Sequence, residues 1–259
     1  MSPQLSGPEL SGPPPTVGSA GSVPVICLPH AGAGASFFWP WQRRCPELDL
    51  IPVQLPGREE RIDEKPPTDL RAAVDTVVAD LVGGVLGRCT QVALFGHSLG
   101  AVLAYEVARR IEARAGGRVT RLFVSGSPAP DAMRERHATG LSDDDFLARV
   151  EEFAGFRHEA FDIPELREML LPTIRADVEL HESYVPLPGP RLRAPITCLR
   201  GHDDALVAAA DTAGWREASE RGCETVELPG GHMYLADDPS ALLRIMGERL
   251  AEPTGAVAR

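Results

Sequence analysis

The chain has 259 residues, of which 43% are hydrophobic, and this is enough for one α/β domain with an insertion. Its net charge of −11 makes nucleic acid an unsuitable partner. No apolar run approaches the roughly 18 residues of a membrane-spanning helix, and the N-terminus lacks the pattern of a signal peptide.

The composition changes at both ends of the chain. Residues 1–22 are rich in Pro, Ser and Gly, which predicts a disordered tail. Residues 23–252 are expected to form the folded domain, and residues 253–259 a frayed C-terminus. The five scattered cysteines lack a Cys-x-x-Cys spacing, which favours reduced thiols and a cytoplasmic location, and they form no recognisable metal set with the histidines.

Strand and helix patterns alternate along the chain, which predicts a mainly parallel sheet with helices on both faces. Strands are predicted near 23–28, 50–54, 91–95, 121–125, 195–200 and 224–228. Helices are predicted near 36–44, 68–86, 99–113, 209–220 and 239–250.

The loop after the first strand, residues 29–35, is built from small residues that let a ligand approach the backbone. In a hydrolase this loop supplies one amide for an oxyanion, and the N–H of Ala31 is the best candidate. Two alternatives are a simple strand-to-helix connection and a phosphate-binding loop. The residue order matches neither common phosphate-loop pattern, so phosphate binding ranks low.

The third predicted strand runs into a helix through Gly96-His97-Ser98-Leu99-Gly100. A Gly-x-Ser-x-Gly turn between a strand and a helix is a nucleophile elbow, where a tight turn excludes a Cβ at both glycines and exposes the serine hydroxyl. Ser98 is therefore the predicted nucleophile, and the N–H of Leu99 is the second oxyanion donor. The alternative is a glycine-rich turn in which the serine only caps the helix.

The connection that follows the fourth predicted strand is too long for a simple crossover. Segment 128–192 contains two further helical patterns, near 144–153 and 164–182. Its apolar residues include Phe146, Phe153, Phe156, Phe161, Met169, Leu170 and Leu171. Its position predicts a helical lid, part of which anchors on the body while part lines an acyl channel. We assign no catalytic role to its histidines, His137, His158 and His181.

A serine nucleophile needs an imidazole base and a carboxylate that orients it. Two carboxylates, Asp203 and Asp204, follow the fifth strand, and His232 lies in a Gly-Gly-His loop after the sixth. We choose Asp204 as the acid because the spacing places it just past the strand end and returns Val207 to the core. Asp203 is then a solvated neighbour or a turn residue.

Several motifs together resemble the type II thioesterases, the stand-alone editing enzymes of polyketide and nonribosomal peptide assembly lines. They are Leu28-Pro29-His30-Ala31-Gly32, Leu55-Pro56-Gly57-Arg58-Glu59, the elbow, Gly201-x-x-Asp204 and Gly230-Gly231-His232. The resemblance spans about residues 23–252 and implies an α/β-hydrolase fold with a Ser98–Asp204–His232 triad. Ala33 departs from the pattern, because many relatives have a second glycine there.

The resemblance implies a serine thioesterase of antibiotic biosynthesis that hydrolyses acyl groups from the phosphopantetheine arm of a carrier protein. No metal or organic cofactor is required, and His30 and Met233 are predicted to contact the substrate. We expect a monomer that docks transiently. Carrier proteins are usually acidic, so a local basic patch is expected to offset the charge of the chain, with Arg58 and Arg61, or Arg134 and Arg136, as candidates.

Other functions remain open at this point. The same three catalytic residues would suit another esterase or amidase of this fold, or a release enzyme that cyclises its product. A hydrolase-fold protein that only binds ligands is a third class, against which the intact Ser, Asp and His argue.

Overall fold

The protein is described by a computed structural model over residues 22–89, 91–114, 118–132, 134, 136–154 and 159–252. Apart from Ser22, the tail predicted over residues 1–22 lies outside the described residues, and so does segment 253–259. Within these ranges no helix has both the length and the apolar character needed to cross a membrane.

Within the described residues, six strands form one central sheet. They are β1 (Val25–Leu28), β2 (Leu50–Pro52), β3 (Val92–His97), β4 (Val119–Ser125), β5 (Ile196–Gly201) and β6 (Cys223–Leu228). Their order is β2-β1-β3-β4-β5-β6, and every neighbouring pair is parallel, as predicted. Because the carboxyl ends of parallel strands share one edge of the sheet, the loops after β1, β3, β5 and β6 meet there.

Helices cover both faces of this sheet. They are α1 (Trp39–Arg44), α2 (Leu70–Gly83), α3 (Leu99–Glu112), α4 (Asp143–Ala154), α5 (Pro164–Glu182), α6 (Tyr234–Asp237) and α7 (Ser240–Ala251). The side chains of β1 alternate between two apolar cores, since Ile26 and Leu28 pack with α2 and α3, whereas Val25 and Cys27 pack with α1 and α7. This alternation follows from the two-residue period of a strand.

The helix predicted over 209–220 is a 3₁₀ helix, Ala209–Arg216. The backbone after this helix pairs with Leu192 instead of continuing the helix. The carbonyl of Ala218 accepts from the N–H of Leu192, and the N–H of Glu220 donates to the carbonyl of Leu192. The prediction of a longer helix is wrong because this pairing with a distant segment leaves no sequence signal.

Two other helices also differ from the prediction. The helix predicted over 68–86 ends at Gly83 and is followed by a 3₁₀ turn, Val85–Gly87, because two successive glycines interrupt it. The helix predicted over 36–44 begins as a 3₁₀ helix, Ala35–Phe38, and becomes α-helical only at α1.

The helices α4 and α5 lie between β4 and β5, in the segment predicted as a lid insertion. The two helices share a small apolar core of Ala138, Phe146, Leu147 and Leu171. The C-terminal end of α5 instead joins the main core through Leu180. Met169 is 47% exposed, while Phe156 and the side chain of Phe153 lie outside the described part of the chain.

Candidate active site

The chain turns from β3 into α3 at Ser98, whose φ of +53° lies in the left-handed region that side-chain-bearing residues seldom adopt. A Cβ on Gly96 would lie 1.9 Å from the carbonyl oxygen of Gly100, and a Cβ on Gly100 would lie 2.2 Å from that of Leu28. Only glycine fits at both positions, which is the steric requirement that the motif predicts. The half-buried side chain of Ser98 makes no hydrogen bond within the described residues.

Asp204 and His232 extend from the loops after β5 and β6 and contact each other. His232 Nδ1 lies 2.9 Å from Asp204 Oδ2. Because an ionised carboxylate can only accept, we assign the proton to Nδ1, which leaves Nε2 free to accept another proton. The other oxygen of Asp204 accepts the amides of Leu206 and Val207 at 2.9 and 3.1 Å.

The environment of Asp204 keeps it ionised. The side chain is fully buried, and burial alone would raise the pKa of this carboxyl. The hydrogen bond and charge of His232, together with the two amides, outweigh the burial, so the pKa of Asp204 is lowered. The neighbouring Asp203 is exposed, as the sequence predicts.

The imidazole of His232 lies against the elbow. The centre of its ring lies 4.8 Å from the centre of the ring of His97, the residue that precedes Ser98. Gly126, at the end of β4, allows this approach, because a Cβ there would lie 2.4 Å from His97 Cε1 and 3.2 Å from His232 Cε1. The predicted nucleophile, base and acid are therefore brought to one end of the sheet, with the base and acid in direct contact.

Two backbone amides at this edge are available to an anion. Leu99 is the first residue of α3, where helix amides have no partner within the helix. Ala31 lies in the loop after β1. In the part of the chain that the structure describes, neither amide has an acceptor. The positive end of the α3 dipole adds to the attraction for a negative oxygen.

Three further histidines surround the site and are held neutral. Burial lowers the pKa of His30 to about 4, with the charges of His232 and Arg58 acting in the same direction. Burial and the charge of His232 also lower the pKa of His97 well below its usual range. The pKa of His181 is lowered by burial, by Arg134 and by His232. These three histidines therefore add no positive charge to the site at neutral pH.

The buried imidazole of His97 predicts that stability falls in mild acid. In the unfolded chain this group titrates near 6.5, whereas in the folded protein it stays neutral well below that pH. The unfolded state then binds more protons below pH 6.5, so the free energy of unfolding decreases as the pH drops. Between pH 7 and pH 5, His97 lowers the free energy of unfolding by about 2 kcal/mol.

Urea denaturation at a series of pH values measures this effect. The H97Q variant should show a shallower decline of the free energy of unfolding over the same interval. A decline in H97Q as steep as in the unmodified protein would contradict the assignment. Below this window, protonation of Asp204 removes further stability, because a lowered carboxyl pKa stabilises the fold only while the group is ionised.

His97 also connects the elbow to the segment that carries the base. Its Nδ1 lies 2.9 Å from Ser125 Oγ, which in turn lies 2.8 Å from the hydroxyl of Tyr234. Tyr234 begins α6, two residues after His232. The sequence does not predict this chain of contacts, because its one local signal is a histidine inside the elbow motif.

An open cleft of about 830 Å³ borders the base. Its lining includes His232 and Met233, together with Arg149 and Glu152 of α4. The other predicted substrate contact, His30, is half-buried, with its ring edge-on to Phe37 at 4.7 Å. The substrate roles of His30 and Met233 stay predictions.

Three of the four arginines expected in basic patches are buried or paired, whereas Arg136 is exposed. Arg58 is only 3% exposed, so it cannot serve as a surface charge. Arg61 is paired with Glu64 and Asp80. Arg134 donates to His181 and stacks over the ring of Tyr184. The sequence could not indicate these partners because nearly all of them are distant in the chain.

Residues 23–250 match the family model described as "Thioesterase domain". The chain is 38% identical over 231 residues to the AMB antimetabolite synthetase AmbE of Pseudomonas aeruginosa, covering 88% of this chain but only 11% of that synthetase. It is 32% identical to the gramicidin S biosynthesis protein GrsT of Aneurinibacillus migulanus, covering 90% of this chain and 91% of GrsT.

The fold has a counterpart among solved structures. The type II thioesterase BorB from the borrelidin biosynthetic cluster superposes with a TM-score of 0.78 and is 36% identical. The match covers 90% of this chain and 93% of BorB. The similarity therefore extends over most of the chain.

Proposed function

Because this chain belongs to the thioesterase domain family, we propose that it hydrolyses acyl groups from the phosphopantetheine arm of carrier proteins. Its task would be to remove aberrant or stalled acyl chains in polyketide or nonribosomal peptide biosynthesis. The observation that carries the proposal is the Asp204–His232 hydrogen bond beside the strained elbow of Ser98.

The resemblance to type II thioesterases that the motifs indicate is confirmed, and so is the α/β-hydrolase fold. GrsT takes its name from gramicidin S biosynthesis, and BorB from a borrelidin cluster. Both names refer to biosynthetic pathways, which supports the proposed class of substrate for this chain.

In the proposed first step, Ser98 Oγ attacks the thioester carbonyl carbon while His232 Nε2 takes the hydroxyl proton. The carbonyl oxygen becomes negative and is held by the amides of Leu99 and Ala31, each such donor contributing roughly 3 kcal/mol in comparable sites. The C–S bond then breaks, and the proton on His232 passes to the departing sulfur. The acyl group remains as an ester of Ser98.

In the second step, His232 takes a proton from water, and the resulting hydroxide attacks the ester carbonyl. The same amides hold the second oxyanion, and the proton returns to Ser98 as the acid leaves. Asp204 keeps Nδ1 protonated throughout, so that Nε2 alternates between acceptor and donor. The proposed mechanism uses no resident metal or organic cofactor, because the phosphopantetheine arm arrives with the substrate.

The encounter with the carrier protein is proposed to be weak and transient, with this chain acting as a monomer. The net charge of −11 provides no long-range attraction for an acidic carrier, and Arg58 is not available to offset it. The five cysteines, all described, are free thiols, which supports the proposed cytoplasmic location.

The cleft beside His232 and Met233 suits an elongated substrate. Its volume of about 830 Å³ lies in the range of ligand-binding pockets. We assign Met233 to the wall that contacts the arm or the acyl chain, and His30 to the loop behind the carbonyl.

A panel of acyl groups, from acetyl to long chains, loaded on one carrier protein tests this function directly. We expect release of free acid from the carrier to be faster, by about tenfold or more, than hydrolysis of oxygen esters of the same acids, because the thiolate is the better leaving group and the carrier adds binding contacts. Acid release is followed by mass spectrometry.

The oxygen esters are the matched control, since they present the same acyl groups without the sulfur or the carrier. Faster hydrolysis of the oxygen esters, with the acylated carrier left intact, would indicate a general esterase instead. Reaction with neither substrate, and no labelling by a fluorophosphonate, would indicate a protein that only binds ligands.

A further inference from the structure

The arginine of the Leu55-Pro56-Gly57-Arg58-Glu59 motif forms a buried ion pair with the lid. Arg58 Nη1 and Nη2 lie 2.5 and 2.9 Å from the two carboxylate oxygens of Asp177, on α5. The two residues are 3% and 0% exposed. Two parallel bonds between a guanidinium and a carboxylate fix both partners in orientation as well as distance.

The same pair holds the loop that carries the Ala31 amide. The N–H of Gly32 donates to Asp177 Oδ2 at 2.8 Å, and the carbonyl of Ala33 accepts from Arg58 Nη1 at 3.1 Å. The two residues that follow Ala31 are thus tied to the carboxylate and to the guanidinium. The N–H of Ala33 also donates to the carbonyl of His30 at 3.1 Å, and that carbonyl shares its peptide group with the Ala31 N–H. The direction of the Ala31 N–H is therefore tied to the loop that Asp177 and Arg58 hold.

Other contacts of α5 fix the geometry from the same side. Gly32 has a φ of +76°, and a Cβ there would lie 3.1 Å from Ile174 Cδ1. Thr173 Oγ1 donates to the carbonyl of Gly57 at 2.8 Å. Residues 173, 174 and 177 lie on one face of α5, because positions three and four apart on a helix are neighbours. That face is therefore shaped to the loops after β1 and β2.

We infer that Asp177 and Arg58 are positioning residues for the oxyanion hole, and that the hole is correctly formed only while α5 is docked. The inference rests on the proposed function, in which the Ala31 amide stabilises the oxyanion. Asp177 touches no reacting atom. It acts through Gly32 and Arg58, which orient the peptide that donates to the substrate oxygen.

The D177N variant tests this inference at constant side-chain size. An asparagine carbonyl in the place of Oδ2 still accepts from Gly32 and Arg58 Nη1, but its NH₂ group then faces Arg58 Nη2, which is also a donor. The parallel pair of bonds and the negative charge are lost, so the guanidinium that holds the Ala33 carbonyl is no longer fixed. We expect kcat for a short acyl thioester to fall about 10²-fold, close to the loss of one oxyanion donor, with KM changed less than about threefold. The inhibition constant of a trifluoromethyl ketone, whose Ser98 adduct carries an oxyanion, should rise in parallel.

The E106Q variant is the matched control. Glu106 is also buried and forms an ion pair with Arg109, and it accepts from Tyr184 just beyond α5. Within the described residues it forms no hydrogen bond with the loop after β1. Rates in each variant are divided by the fraction of Ser98 that a fluorophosphonate labels at completion, so that a loss of folded protein is not counted as a loss of catalysis.

A second variant, R58K, covers the case in which D177N fails to fold. Lysine keeps the positive charge beside Asp177 but cannot bind both of its oxygens and the carbonyl of Ala33. The same fall in kcat and in ketone affinity is expected. The inference is overturned if the folded variants keep kcat and the ketone inhibition constant within threefold of the unmodified values. It is also overturned if kcat falls equally in E106Q. Absence of Ser98 labelling in the unmodified protein overturns the proposed function itself, and this inference with it.

Discussion

Replacing Ser98 with alanine is expected to lower kcat for thioester hydrolysis by about 10⁴-fold or more, because the side chain that forms the acyl-enzyme is removed. The fold should tolerate the change. The Ser98 hydroxyl has no hydrogen-bond partner among the described residues, and alanine keeps the Cβ that the +53° backbone already accommodates. Thermal unfolding should therefore occur within about 2 °C of the unmodified protein.

Mass spectrometry of a slowly hydrolysed substrate provides the positive counterpart. The acyl group should appear on the peptide that contains Ser98, and it should be absent from that peptide in S98A. The S127A variant is a suitable control, since Ser127 lies near the end of β4 and its hydroxyl donates to the carbonyl of the neighbouring Pro128. Turnover by S98A at the unmodified rate would exclude Ser98 as the nucleophile.

Replacing Asp204 with asparagine is expected to lower kcat by about 10⁴-fold while the protein stays folded. The amides of Leu206 and Val207 both point at Oδ1, so the asparagine carbonyl will take that position. Its NH₂ group then faces His232 Nδ1, which must accept. The imidazole proton moves to Nε2, and the base can no longer take a proton from Ser98.

The D203N variant is the matched control, because it makes the same chemical change at the adjacent, exposed carboxylate. Its kcat should stay within about threefold of the unmodified value. A large fall in D203N with D204N unaffected would move the orienting role to the neighbouring residue. Proton NMR of the downfield region offers an independent check, since the Nδ1 proton shared with Asp204 should be absent in D204N.

The parts of the site that depend on local sterics were predictable from the sequence. Gly96 and Gly100 are required by a turn of five residues, and both would clash with backbone if they carried a Cβ. Asp204 and His232 were predictable for a related reason, since each follows a strand and parallel strands end at one edge. The pairing of β5 with β6 makes the two loops neighbours, and in the structure His232 Nδ1 lies 2.9 Å from Asp204 Oδ2.

The remaining features depend on partners that are distant in the chain. Arg58 was expected on the surface because an isolated arginine in a loop is normally solvated. It is buried only because Asp177, 119 residues further on, supplies a matching carboxylate. The neutral state of His97 likewise results from enclosure by β4, α6 and His232, none of which its own segment specifies.

The shared carboxylate of Asp177 has a consequence for efforts to redesign acyl preference. A chimera that receives only segment 128–192 from a homologue inherits that homologue's α5 but keeps the Arg58 and Gly32 loops of the recipient. If the grafted α5 has no carboxylate at position 177, facing the same side of the helix, the buried guanidinium of Arg58 loses its ion-pair partner. Grafts that carry the Leu55–Glu59 and His30–Gly34 loops along with the insertion preserve that partnership.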